Sequence, residues 1–255
     1  MTKIISVQHS KGGSGTTALA LSLAHASSGQ GRTLYIELDV INPILEALLP
    51  PPKLPIRYSN DWITGEASLD EAAVDVSSVF NRIRHTLYFM YANRSVGAIN
   101  RMQVIDAVKD KRIIKTLEKE KWVIGLDLDF VVIDTPPWMS YIIAAASLIS
   151  DYVFYILRPN KYELDIMKDL VDNILSHFKG ELKAVVNFVD ETDEKVRKFE
   201  EELKKVVGER YVKIPYIAAL SSGLDVSRLL SNANPMLPYL QNHLRLIFPK
   251  PIEVT

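Results

Sequence analysis

Seven short apolar runs recur along the chain, and none shows the polar alternation of a half-exposed strand. They are Lys3–Val7 (KIISV), Thr33–Leu38 (TLYIEL), Thr86–Tyr91 (TLYFMY), Phe130–Asp134 (FVVID), Tyr152–Leu157 (YVFYIL), Leu182–Phe188 (LKAVVNF) and Tyr211–Ile214 (YVKI). Runs of this kind suit a parallel sheet covered on both faces. Between them, Gly15–Ser28, Arg101–Lys121, Tyr162–Phe178, Asp193–Val207 and Ser222–Leu230 carry helical spacing. A last helix is expected around Tyr239–Phe248, with Leu240, Leu244 and Ile247 on the face that packs on the sheet. Alternating strands and helices predict an α/β, doubly wound, mostly parallel sheet with helices on both faces. The 255 residues are read as a single domain, 1–255. Pro50, Pro51, Pro52 and Pro55 mark a stiff irregular loop after the second strand.

Composition removes several function classes. The 30 Lys+Arg and 31 Asp+Glu leave a net charge of −1, so no global positive field points to nucleic acid or an anionic membrane. There is no cysteine, which excludes disulfides, thiolate metal sites, iron–sulfur clusters and thiol nucleophiles. The opening apolar run breaks at Gln8, and the longest apolar stretch, Met139–Ser150, is about half a membrane span. The expectation is a soluble, cytoplasmic protein with no direct membrane insertion. The five histidines are scattered without metal-ligand spacing, and no serine sits in a GxSxG context.

The stretch Ser10-Lys11-Gly12-Gly13-Ser14-Gly15-Thr16-Thr17 lies between the first strand and the first helix, where a phosphate-binding loop belongs. Glycines permit positive φ angles and let main-chain N–H groups converge on an anion. The helix that follows adds its N-terminal partial charge. The Thr17 hydroxyl is placed to bind Mg²⁺. Phe130–Asp134 is an apolar strand ending in a carboxylate and followed by Thr135-Pro136-Pro137. A carboxylate there can hold a metal-bound water, so Thr17 and Asp134 are the candidate metal residues.

These segments resemble the deviant Walker A loop (KGGxGK[ST]) and the Walker B/switch II (DxPP) strand of the ParA/MinD group of P-loop ATPases. Glu37-Leu38-Asp39 resembles that group's switch I (DxD), and Val185-Val186-Asn187 and Ile214-Pro215-Tyr216 resemble its adenine loops. The resemblance runs from Lys3 to about Leu230. It implies that Lys11 reaches the partner's nucleotide across an ATP-held homodimer and that Asp39 orients the attacking water. These two are the candidate catalytic residues. It also implies ATP/ADP and Mg²⁺ as cofactors, held by Lys11, Gly12, Gly13, Ser14, Gly15, Thr16, Thr17, Asn187 and Pro215.

Two positions depart from that group. Trp138 stands where a small residue is usual, and Thr16 replaces the second loop lysine. Exchanging a charge-assisted hydrogen bond for a neutral one costs on the order of 1.5–3 kcal/mol, which is tenfold to hundredfold in affinity. Catalysis suffers more than binding, because charge shifts during transfer. Similar loops occur in the CpaE/TadZ branch, which implies localisation rather than turnover. Two readings result. One is a slow ATPase switch that partitions or positions DNA or a surface machine, recruited to nucleoid or membrane face through partners. The other is a non-hydrolysing scaffold that recruits a protein partner or adaptor. Residues Arg101–Lys121 carry seven Lys/Arg against four acids. That stretch reads as a solvated helix face and is the one candidate DNA contact.

Overall fold

The apolar runs assemble edge to edge in a single sheet. In the computed structural model, residues 2–54, 56–80, 83–103, 126–137, 141–173, 180–220 and 223–248 are described. Among them the strands are β1 (Lys3–Gln8), β2 (Thr33–Glu37), β3 (Val74–Asp75), β4 (Leu87–Met90), β5 (Phe130–Asp134), β6 (Tyr152–Leu157), β7 (Glu181–Val189) and β8 (Tyr211–Pro215). Their order is β3-β4-β2-β5-β1-β6-β7-β8. Every pairing is parallel except β3 with β4, which is antiparallel. The two-residue β3 is absent from the sequence reading. Val74 and Asp75 are too few to show a periodicity and are strand only because β4 offers them an edge.

The central strands β2 and β5 are buried at every position, as their lack of alternation requires. Helices cover both faces. Helix α1 (Thr16–Ser28) packs on one face with α2 (Leu45–Leu48), α9 (Val226–Leu229) and α10 (Leu237–Leu244). On the other face, α3 (Ser59–Thr64), α4 (Leu69–Ala72), α5 (Val96–Gln103) and α6 (Tyr141–Ile149) cover β2, β4 and β5. Over β6–β8 the same role falls to α7 (Lys161–Asn173) and α8 (Glu194–Val207). Helix α1 is buried nearly all round, which explains its alanine and serine content: small side chains let it lie close to the sheet. By contrast α8 is strongly amphipathic. It buries Val196, Phe199, Leu203 and Val207, and its N-cap Asp193 accepts from the Lys195 amide.

Two helix expectations shift, and a third lies mostly outside the described residues. Among the described residues of Ser222–Leu230, only the single turn of α9 is helical. The last helix ends at Leu244, although Ile247 and Phe248 continue into the core beyond it. Most of Arg101–Lys121, and with it the candidate DNA contact, lies outside the described residues, as does Trp138. No described helix is long and apolar enough to cross a membrane.

Register places the site. Val7 and Glu37 both pair with Asp134, so β1, β2 and β5 end abreast. The loop after β1, the acid ending β2 and the acid ending β5 therefore converge at one edge of the sheet. In open α/β sheets this carboxyl edge is where ligands bind.

Candidate functional site

Between β1 and α1 the chain makes a tight turn in which Gly13 has φ +79° and Gly15 φ +100°. A Cβ on Gly15 would meet the Asn187 amide nitrogen at 2.5 Å. Glycine is required there for both conformation and room. Gly15 also precedes α1 without a side-chain cap, so the first amides of the helix are not claimed by a neighbouring side chain.

The turn forms one wall of a cavity of about 610 Å³. Gly12, Gly13, Gly15, Thr16, Thr17, Asp39, Asp134 and Asn187, eight of the residues singled out from the sequence, line it. Lys11, Ser14 and Pro215 do not. Lys11 is exposed at the head of the loop. Ser14 is buried behind the loop, where its hydroxyl lies 3.2 Å from that of Thr16. Pro215 ends β8, and the next residue, Tyr216, reaches the cavity.

Three carboxylates share this cavity and differ in how they are satisfied. Glu37 is a fixed anchor. Its Oε1 accepts from the Ile44 and Leu45 amides at 2.7 and 2.8 Å, and its Oε2 accepts from the Ala92 amide at 3.0 Å. Burial raises its pKa, and the three amides act against that rise. Asp39 is half-buried and caps its own turn, accepting from the Asn42 amide at 2.9 Å and the Ile41 amide at 3.3 Å. Burial raises its pKa also. Asp134 is buried, and its Oδ2 accepts from the Tyr35 hydroxyl at 2.8 Å. Thr17 hydrogen-bonds the same carboxyl group. Burial pushes Asp134 up to about 7 against both hydrogen bonds. An oxygen-only pair of hydroxyl and carboxylate on one cavity fits a Mg²⁺ ion that keeps most of its waters.

Asn187 is the hinge between the loop and the far end of the cavity. Its Nδ2 donates to the Ser14 carbonyl at 2.8 Å, and its Oδ1 accepts from the Phe188 amide at 3.0 Å. The side chain thus holds the glycine loop in place, and one N–H and one lone pair remain for a ligand. Phe188 follows in a left-handed conformation, φ +60°, at an irregularity in the β7–β8 pairing. Its ring stands partly exposed at the cavity wall, 6.3 Å from that of Tyr216. Ile217, Leu220, Leu224 and Met236 complete an apolar end.

Sequence reasoning missed Tyr35, Phe188, His9 and the apolar lining residues. Tyr35 looks like an ordinary strand residue, and only register brings it to Asp134. Phe188 carried one usable signal: it directly follows a strand-end asparagine. No Lys or Arg lines the cavity among the described residues. No cluster of three or more His, Cys, Asp or Glu able to hold a metal occurs among the described residues.

Comparison with known proteins agrees with this geometry. The solved structure of MinD from Pyrococcus horikoshii, complexed with Mg-ADP, superposes with a TM-score of 0.71 at 18% identity, covering 97% of this chain and 98% of that one. Cyanothece McdA without ligand gives 0.72 at 17% identity over 96% and 100%. An uncharacterized Methanocaldococcus jannaschii protein is 22% identical over 246 residues, 94% of this chain and 92% of its own length. The fold is thus that of the MinD-type P-loop ATPases. The family model described as an AAA domain matches residues 2–187, and the chain belongs to that family.

Proposed function

We propose that the chain is a nucleotide-operated switch of the ParA/MinD kind. The observation that carries this reading is the meeting of the glycine loop, Thr17, Asp134 and Asp39 on one cavity with an apolar end. Such a cavity has the polarity of a nucleotide, anionic at one end and aromatic at the other. The amides of Gly12–Thr17 hold the phosphates, and Phe188 and Tyr216 flank the base. Thr17 and Asp134 hold Mg²⁺, which supplies positive charge against the phosphate oxygens. Asp39, held by its turn, orients a water. Lys11 lies outside its own cavity and exposed, which suits a cation offered to a second copy's nucleotide. Two copies then close around two nucleotides, and nucleotide state selects the surface they present to DNA or a protein partner. Turnover is slow because Thr16 brings no charge to the phosphates.

Calorimetry with MgATP and MgADP, paired with size measurement, tests this. Both nucleotides are expected to bind, and MgATP alone to double the mass. Lys11→Ala is expected to keep binding and lose the dimer. Absence of heat from both nucleotides would end the reading.

The lack of Lys or Arg among the described lining residues favours a second reading, a non-hydrolysing scaffold that recruits a partner. It predicts binding without phosphate release, and release gained only in Thr16→Lys.

A further inference from the structure

Strand β2 brings a hydroxyl to the carboxyl group that ends β5. Register pairs Tyr35 with Val132 and Glu37 with Asp134. Asp134 therefore stands two positions along the neighbouring strand from Tyr35's partner, roughly 6–7 Å toward the carboxyl edge. A tyrosine spans that diagonal, and a phenylalanine stops one oxygen short. The hydroxyl donates to Asp134 Oδ2 at 2.8 Å. Asp134 lines the cavity and Tyr35, fully buried, does not. The hydroxyl thus reaches the carboxyl group from the sheet side and leaves the cavity side open.

The ring that carries this hydroxyl has little freedom. Tyr35 pairs directly with Phe89 of β4, and their ring centroids lie 5.1 Å apart at 46°. Phe89 in turn meets Tyr91 at 6.1 Å and 66°. All three rings are fully buried, so the row cannot shift without disturbing the core. Thr17 hydrogen-bonds the same carboxyl group from the start of α1. The terminal torsion of an aspartate is broad, so one contact leaves the carboxyl plane free to swing. Two contacts from different elements fix it.

We infer that Tyr35 is a positioning residue for the metal: its hydroxyl holds Asp134 in the orientation that receives a Mg²⁺-bound water. Tyr35 itself touches neither nucleotide nor metal and acts through Asp134. Carboxylates that serve a metal are commonly hydrogen-bonded in turn, and loss of such a partner costs roughly tenfold to hundredfold in metal affinity. Tyr35 also stands on the strand that leads into Asp39, so β2 sets both the water-orienting acid and the metal-facing one. The metal contact rests on the nucleotide reading above, and the hydrogen bond does not.

Tyr35→Phe keeps the ring and removes only the hydroxyl. Calorimetry of the full chain with ADP at pH 8.5, first in EDTA and then with Mg²⁺, reads the gain in affinity that the metal brings. That gain is expected to fall about tenfold in Tyr35→Phe, with metal-free ADP affinity unchanged. An equal gain in the two proteins would overturn the inference. So would an equal loss with and without metal, which marks a merely structural role. Adding Tyr35→Phe to Asp134→Asn is expected to change MgADP affinity no further; a further tenfold loss would show that the hydroxyl acts elsewhere. A third arm needs neither nucleotide nor Tyr35→Phe. The vibrational difference spectrum of wild type against Asp134→Ala is expected to show one tyrosine losing a strong donor bond, and no change would remove the hold on Asp134. Wild type that takes up no ADP in either condition ends the nucleotide reading and the metal contact with it, while the vibrational spectra still judge the hydrogen bond. Normal wild-type uptake with an undiminished metal gain in Tyr35→Phe ends this inference alone.

Discussion

The two ends of the large cavity are built on different principles. The loop end is made of main chain and carboxylates whose positions are set twice over. Asn187 holds the loop by the Ser14 carbonyl, Glu37 binds three amides, and Tyr35 and Thr17 both hold Asp134. The far end is made of side chains standing partly free, with Phe188 and Tyr216 at 38% and 61% exposure. An anion needs donors aimed in advance, and an aromatic base needs only faces to lie between. The rigid end therefore carries buried charge, and the loose end carries adaptability together with the left-handed Phe188.

The largest expected effect comes from the charge stored at the rigid end. Asp134 sits near pH 7 in the fold against an ordinary 3.8. Between those values the folded chain retains a proton that the unfolded chain has released, so stability falls as pH rises through that window. Asp134→Asn escapes this and is expected to be about 4 kcal/mol more stable than wild type at pH 8. The gap should close toward pH 4, as read by urea titration without metal, and Mg²⁺-dependent nucleotide binding should be lost. A gap that ignores pH would show that the carboxyl is not under strain.

Thr16→Lys asks whether the loop end lacks only a charge. It is expected to tighten MgATP tenfold to hundredfold by calorimetry and to raise phosphate release. Unchanged affinity would mean that the loop cannot present an ammonium. Gly15→Ala attacks the geometry of the same end. With φ at +100° and a Cβ contact of 2.5 Å to Asn187, it is expected to cost about 2 kcal/mol of stability and to abolish binding. The smallest effect belongs to the loose end. Phe188→Gly relieves a left-handed side-chain residue and is expected to raise stability by about 1 kcal/mol while weakening adenine nucleotides more than inorganic triphosphate. Loss of both affinities alike would deny the base contact.

The same contrast explains what could be read in advance. The apolar runs located seven of the eight described strands, because burial on both faces leaves a direct mark on composition. Gly12, Gly13, Gly15, Thr17 and Asp134 could be singled out, and they line one cavity, because a glycine turn between strand and helix and an acid ending an apolar strand are marked within a few neighbouring positions. Tyr35 meets Asp134 across 99 residues, and His9 looked like an ordinary structural histidine although it lines the cavity. Phe188 owes its place to a pairing irregularity with β8. Contacts set by register and cavities set by packing leave no local pattern.

Glu37 has one further effect. Its carboxylate grips the amide of Ile44, seven residues on, so the backbone from 37 to 44 is closed into a ring by a side chain. Asp39 sits inside that ring. Asp39 therefore belongs to a small closed circuit instead of a free strand, and the second carboxylate oxygen ties that circuit to Ala92, just beyond β4.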